Sequence, residues 1–119
     1  MSASAKTYTY KHTVSICGHA GANDTTWISM AKTGKCYDLF GSYPTVYDKK
    51  TTSTIQSRAQ YEGSTTRTSG WKRCVLNKNS GAVTTVNYSS SMKAGSWLLN
   101  YKYVSGGGVK AQVTTCKVY

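Results

Sequence analysis

From Lys6 to Cys17 the chain reads KTYTYKHTVSIC, an unbroken alternation that sets Tyr8, Tyr10, His12, Val14 and Ile16 on one face and Thr7, Thr9, Lys11, Thr13 and Ser15 on the other. A period of two over that length predicts a half-buried strand. A second alternation runs from Thr51 to Tyr61, with Ile55, Ala59 and Tyr61 opposed to Thr52, Thr54, Gln56, Arg58 and Gln60. Its β-branched threonines suit a strand with one face largely in water. Between these two, Gly18 to Asn23 reads as a loop. Asp24 is placed to cap one or two helical turns carrying Trp27, Ile28, Met30 and Ala31, closed by Lys32 and Gly34. Thr26, Ile28 and Met30 also alternate, so a strand competes with that helix. Cys36 to Lys50 holds Gly41 and Pro44 with no sustained period, and reads as an ordered loop with at most one short strand.

The C-terminal half reads as two hairpins. Trp71 to Asn77 and Ala82 to Tyr88 flank Lys78-Asn79-Ser80-Gly81, and Ser96 to Ser105 and Val109 to Tyr119 flank Gly106-Gly107-Gly108. In the second hairpin the apolar phases match when Tyr103 lies opposite Ala111, Tyr101 opposite Val113 and Leu99 opposite Thr115. Six or more short strands predict an all-β fold, a small antiparallel β-sandwich or barrel with at most one short helix.

A length of 119 residues suits one domain, expected over residues 6–119 behind an N-terminal remnant at residues 1–5. Ala3-Ser4-Ala5 there has the small-x-small form of a signal-peptidase site. No apolar run approaches the length of a membrane span. Cys17, Cys36, Cys74 and Cys116 form an even set without a C-x-x-C pair. That pattern predicts two disulfides in an oxidising, extracellular setting, Cys17 with Cys36 and Cys74 with Cys116, against the alternative of four free thiols.

Fifteen Lys and Arg against four Asp and Glu leave a formal charge of +11. Such a charge favours anionic partners: a cell-surface polymer or glycan first, nucleic acid second. No run of five or more cations marks a nucleic-acid arm. The residues expected to make contact are Tyr37, Tyr43 and Tyr47 in the long loop, with Lys49 and Lys50 beside them, because an amphipathic ring offers a flat surface to a sugar. Trp27, Trp71 and Trp97 are assigned to the core. The composite expectation is a secreted, non-enzymatic adhesion protein. Its alternative is an antimicrobial or toxin protein acting on a competitor's envelope.

Catalytic chemistry has few parts to use. A small secreted ribonuclease is the enzymatic alternative, built from His12, His19, Glu62, Arg58, Arg67, Arg73 and Lys11. His12 falls on the apolar phase of its strand, which favours a packing role. Neither a metal site nor a cofactor is expected, since Cys17-Gly18-His19 matches no structural zinc spacing and the glycine triplet lacks a following helix.

Overall fold

A computed structural model describes residues 4–41, 45–46, 52–77 and 83–119. Of the described residues 72% lie in strands, and none lies in a helix. In chain order the strands are β1 (Thr7–Ile16), β2 (Asn23–Met30), β3 (Gly34–Phe40), β4 (Thr45–Val46), β5 (Thr52–Tyr61), β6 (Lys72–Asn77), β7 (Thr84–Met92), β8 (Gly95–Gly106) and β9 (Val109–Val118). They form two antiparallel sheets, the first in the order β1-β9-β3-β7 with the two-residue β4 beside β9, the second in the order β2-β8-β5-β6. Neighbours in the chain mostly change sheet, and only β5 and β6 pair with each other among the long consecutive strands. Eight long strands wound in this way across two sheets make the double Greek key of a jelly roll.

The alternation of β1 is as the sequence predicts, with Val14 and Ile16 buried and Lys11, Thr13 and Ser15 exposed. The segment from Asp24 is strand β2, not a helix. Its residues Ile28 and Met30 turn inward while Trp27 and Ser29 face water. Asp24 caps nothing; its carboxylate accepts the Ser15 and Thr25 backbone N–H groups, at 2.8 and 2.9 Å, and so ties β2 to β1. Cys36 to Phe40 belongs to a full strand where a loop was expected, because Cys36, Asp38 and Phe40 all point inward.

Neither C-terminal hairpin forms. β6 and β7 lie in different sheets, as do β8 and β9. Tyr101 therefore pairs with Asp24 and Ser57, not with Val113, and Val113 pairs with His12 and Phe40. The apolar phase of each strand is met, but from across the sandwich: Ile28, Ile55, Leu99 and Tyr101 of the second sheet pack with Val14, Phe40, Val86 and Val113 of the first.

The two expected disulfides are also absent, and all four cysteines are free thiols. Register explains why. Cys17 follows Ile16, which pairs with Val109, whereas Cys36 pairs with Lys117, eight residues further along β9. At strand rise those ends lie roughly 27 Å apart. Cys74 points into the core from β6, while Cys116 follows the inward-facing Thr115 and so sits on the outer side of β9, beside Tyr37. Burial pushes the Cys36 and Cys74 thiols up to about 12, which keeps both protonated and unreactive.

Candidate polyanion-binding face

The outward positions of the second sheet collect the side chains that sequence reading had scattered. Successive strands bring Asn23, Lys102, Gln56 and Arg73 into one row, and Thr25, Asn100 and Arg58 into the next. Trp71, just ahead of β6, closes the second row. Its ring lies 4.3 Å from the Arg58 guanidinium carbon and 4.3 Å from Lys102 Nζ. Cations held over indole in this way remain charged and lose chain freedom, which readies them for an anion. Trp27 stands on the opposite edge strand, 56% exposed. No carboxylate shares these positions among the described residues: Asp24 belongs to the inward phase of β2, Asp38 is in the core and Glu62 lies in the β5–β6 turn.

Two other surfaces carry cations. The outer face of the first sheet presents Lys11, Lys35 and Lys110 on a threonine-rich background without tryptophan. At one end of the sandwich a hollow of about 730 Å³ is lined by Lys6, Lys32, Lys117, Tyr8 and Tyr119, among others. There the fold already uses two of the polar groups, since Lys117 Nζ donates to the Ser29 carbonyl at 3.0 Å and the Tyr119 hydroxyl accepts from Ala31 N at 2.9 Å.

Of the contact residues expected from sequence, Tyr37 is a strand residue on the outer face of the first sheet, half-buried, with Lys35 Nζ 5.3 Å from its ring. A hydrogen bond with the Cys116 thiol raises its phenol above the ordinary value. Tyr43, Tyr47, Lys49 and Lys50 lie outside the described residues. Only Trp97 fulfils the core assignment made for the three tryptophans, because Trp27 is exposed and Trp71 is half-buried. The ribonuclease parts are dispersed: His12 points inward from β1, His19 is exposed in the β1–β2 loop and bonded to its neighbour's carbonyl, Glu62 is in a turn, and Arg58 and Arg73 face outward.

The titratable cluster that sequence reading missed is inside. Asp38, wholly buried, accepts Tyr88 OH at 2.7 Å and Tyr101 OH on Oδ2, and Thr115 Oγ1 at 2.5 Å on Oδ1. His12 Nε2 stands 3.0 Å from Thr115 Oγ1, and Ser57 Oγ stands 2.5 Å from Tyr88 OH. Since the Thr115 hydroxyl proton goes to Asp38, His12 donates through Nε2. The chain of donors joins the sheets, with Ser57 and Tyr101 from the second and the rest from the first. Burial raises the Asp38 carboxyl above its ordinary value, an effect opposed by the three hydroxyl donors and by His12. Burial also lowers the His12 imidazole, against the attraction of Asp38 and Asp24. Buried and drawn from strands of both sheets, this network fastens the sandwich.

The two shifts act on stability in opposite directions. A raised Asp38 favours folding fully below the ordinary carboxyl range, and that contribution is lost as pH climbs through the folded value. A lowered His12 favours folding fully above 6.5, and that contribution is lost as pH falls through the folded value. Urea midpoints of the parent and a His12→Gln variant, taken from pH 8 to about pH 5, should therefore show the parent losing ground to the variant below about 6.5. A difference that stays flat with pH would contradict the burial assigned to His12.

No protein-family model matches the chain, and no curated protein matches it. Among solved structures, a chain of Desmodium yellow mottle tymovirus is similar over 99% of this chain and 87% of that one, at 13% identity and a TM-score of 0.44. A likeness that distant carries no functional conclusion.

Proposed function

We propose that the protein is a non-enzymatic binding module for anionic polymers, engaging acidic glycans of a cell surface through the outer face of its second sheet. The observation behind this reading is the pair Arg58 and Lys102 held over Trp71, with Arg73 on the same face and no carboxylate among its described residues, in a chain of net charge +11. Long-range attraction brings the polymer in, and the fixed cations and amides then hold it. An extracellular setting was expected partly from paired cysteines, and free thiols remove that support. Polyanion binding itself does not depend on the compartment.

The test is a fluorescence titration with polygalacturonate at rising salt. Affinity should fall at least about tenfold between 0.05 and 0.2 M salt, because counterions compete for the same cations. Absent binding at low salt, or binding indifferent to salt, would refute the reading.

The strand order supports a second reading. Jelly rolls serve capsid and lectin domains alike, and a strongly cationic one suits a shell polypeptide that neutralises nucleic acid. Sedimentation with and without poly(U) separates the two, since a shell protein forms large, uniform particles and an adhesion module stays small.

A further inference from the structure

Beside Trp71, between the β1–β2 loop and β8, the surface dips into a hollow of about 230 Å³ walled by Asn23, Trp71, Asn100, Lys102 and Tyr103. Its polar wall is unfinished. Asn100 Oδ1 is buried without a donor, and Arg58 Nε, on the residue directly opposite in the sheet, is buried without an acceptor. Orphaned buried polar atoms are uncommon and mark a place where the chain's own groups do not complete the hydrogen bonding. Asn100 and Lys102 both line the hollow, and with Oδ1 buried the amide nitrogen is the group Asn100 has left to offer a ligand. Donors from two side chains thus converge beside an aromatic wall, and no carboxylate lines the space. In the larger hollow at the end of the sandwich, Lys117 and Tyr119 are already bonded to backbone.

Resting on the polyanion reading, we propose that the Trp71 hollow is a subsite for one acidic sugar unit of the polymer, its carboxylate held by Lys102 and Asn100 and its ring against the Trp71 edge. The volume is below the roughly 300 Å³ at which clefts for whole small ligands begin, and suits one ring of a longer chain. Sugar is favoured over a nucleobase because Arg58 and Lys102 already lie across the Trp71 ring, whereas base stacking needs an open aromatic face.

The experiment is isothermal titration of the full chain with polygalacturonate at about 0.15 M salt, with poly(U) and neutral dextran as parallel probes. Lys102→Gln and Asn100→Asp should each weaken polygalacturonate binding by about tenfold, the loss of one charge-assisted contact. Lys11→Gln removes the same charge from the outer face of the first sheet and should change affinity less than about twofold, as expected for a cation acting only at long range. Asn100→Asp keeps the side chain's size and its outward strand position, so the fold is retained. Should it nonetheless unfold, Lys102→Gln carries the same test from a side chain on the surface. Dextran should not bind, and poly(U), repelled by the added charge but not bound in the hollow, should lose less from Asn100→Asp than polygalacturonate does. Equal losses for Lys102→Gln and Lys11→Gln would overturn the subsite while leaving polyanion binding intact. An Asn100→Asp loss as large for poly(U) as for polygalacturonate would overturn the sugar assignment. If the parent binds neither polymer, the underlying reading fails.

Discussion

Asp38→Ala is expected to lower the unfolding free energy by about 3–5 kcal/mol, the cost of removing one partner from a buried, charged hydrogen-bond network. The substitution takes away the acceptor of the Tyr88, Tyr101 and Thr115 hydroxyls at once and leaves them in a core without water. It also strands His12, whose acceptor Thr115 is itself held by Asp38. Tyr101→Phe removes one donor and leaves the carboxylate two others, so its cost should be nearer 1–2 kcal/mol. Asp38 is not there for free: burial raises its carboxyl, which means the fold bears a desolvation penalty for keeping a charge inside. Replacing the acceptor and the phenols together, as Asp38→Leu with Tyr88→Phe and Tyr101→Phe, should therefore be milder than Asp38→Ala alone. Urea unfolding gives the comparison directly, a lower midpoint at unchanged slope being the expected form. An Asp38→Ala variant within 1 kcal/mol of the parent would show that the network does not fasten the sheets.

The same residue explains why part of the fold was hidden in the sequence. In β1 the apolar phase ends on Val14 and Ile16, and the strand declares itself. In β3 the inward phase reads Cys36, Asp38, Phe40, and an acid at a core position breaks the pattern on which strand recognition rests. The aspartate is tolerated only because Tyr88, Tyr101 and Thr115 converge from β7, β8 and β9, none of them near it in sequence. The misassigned hairpins have a different cause. Alternation tells which face of β8 and β9 is apolar, and both have apolar inward faces; it cannot tell whether a short glycine loop folds the chain back within one sheet or carries it across to the other. Two strands whose apolar faces meet across a core satisfy the same pattern as two that pair side by side. The cysteines fall to the same ambiguity, because spacing does not reveal that Cys74 faces inward and Cys116 outward. At the candidate site, exposed aromatics were sought in the long loop, whereas the structure gathers Trp71 with Arg58 and Lys102 across strand partners. The one local signal was Lys72-Arg73 immediately after Trp71, a tryptophan beginning a strand among cations and not among aliphatic residues.

The glycine loop that misled the hairpin assignment also supports a second large effect. Gly106, the last residue of β8, takes φ of 85° where the chain leaves the second sheet for the first. A Cβ built there would stand 2.4 Å from the Thr52 carbonyl oxygen and 2.9 Å from Ser53 Cα, both backbone atoms of the paired strand β5. Its surroundings are fixed: Tyr103 OH donates to the Gly106 carbonyl at 2.9 Å and Ser53 Oγ to the Gly107 carbonyl at 2.6 Å. Gly21 has nearly the same φ, 86°, in the β1–β2 loop, with nothing within 4 Å of its Cβ position. The two sites thus separate backbone strain from collision. Gly21→Ala should cost only the left-handed conformation, about 1–2 kcal/mol. Gly106→Ala bears that strain and must also push β8 away from β5, so the total should reach about 3–4 kcal/mol, in the range reserved for strain and overpacking at buried positions. Thermal or urea unfolding of the pair gives the difference. Equal losses at Gly21 and Gly106 would mean that the close approach of β8 to β5 is not what holds the crossover in place.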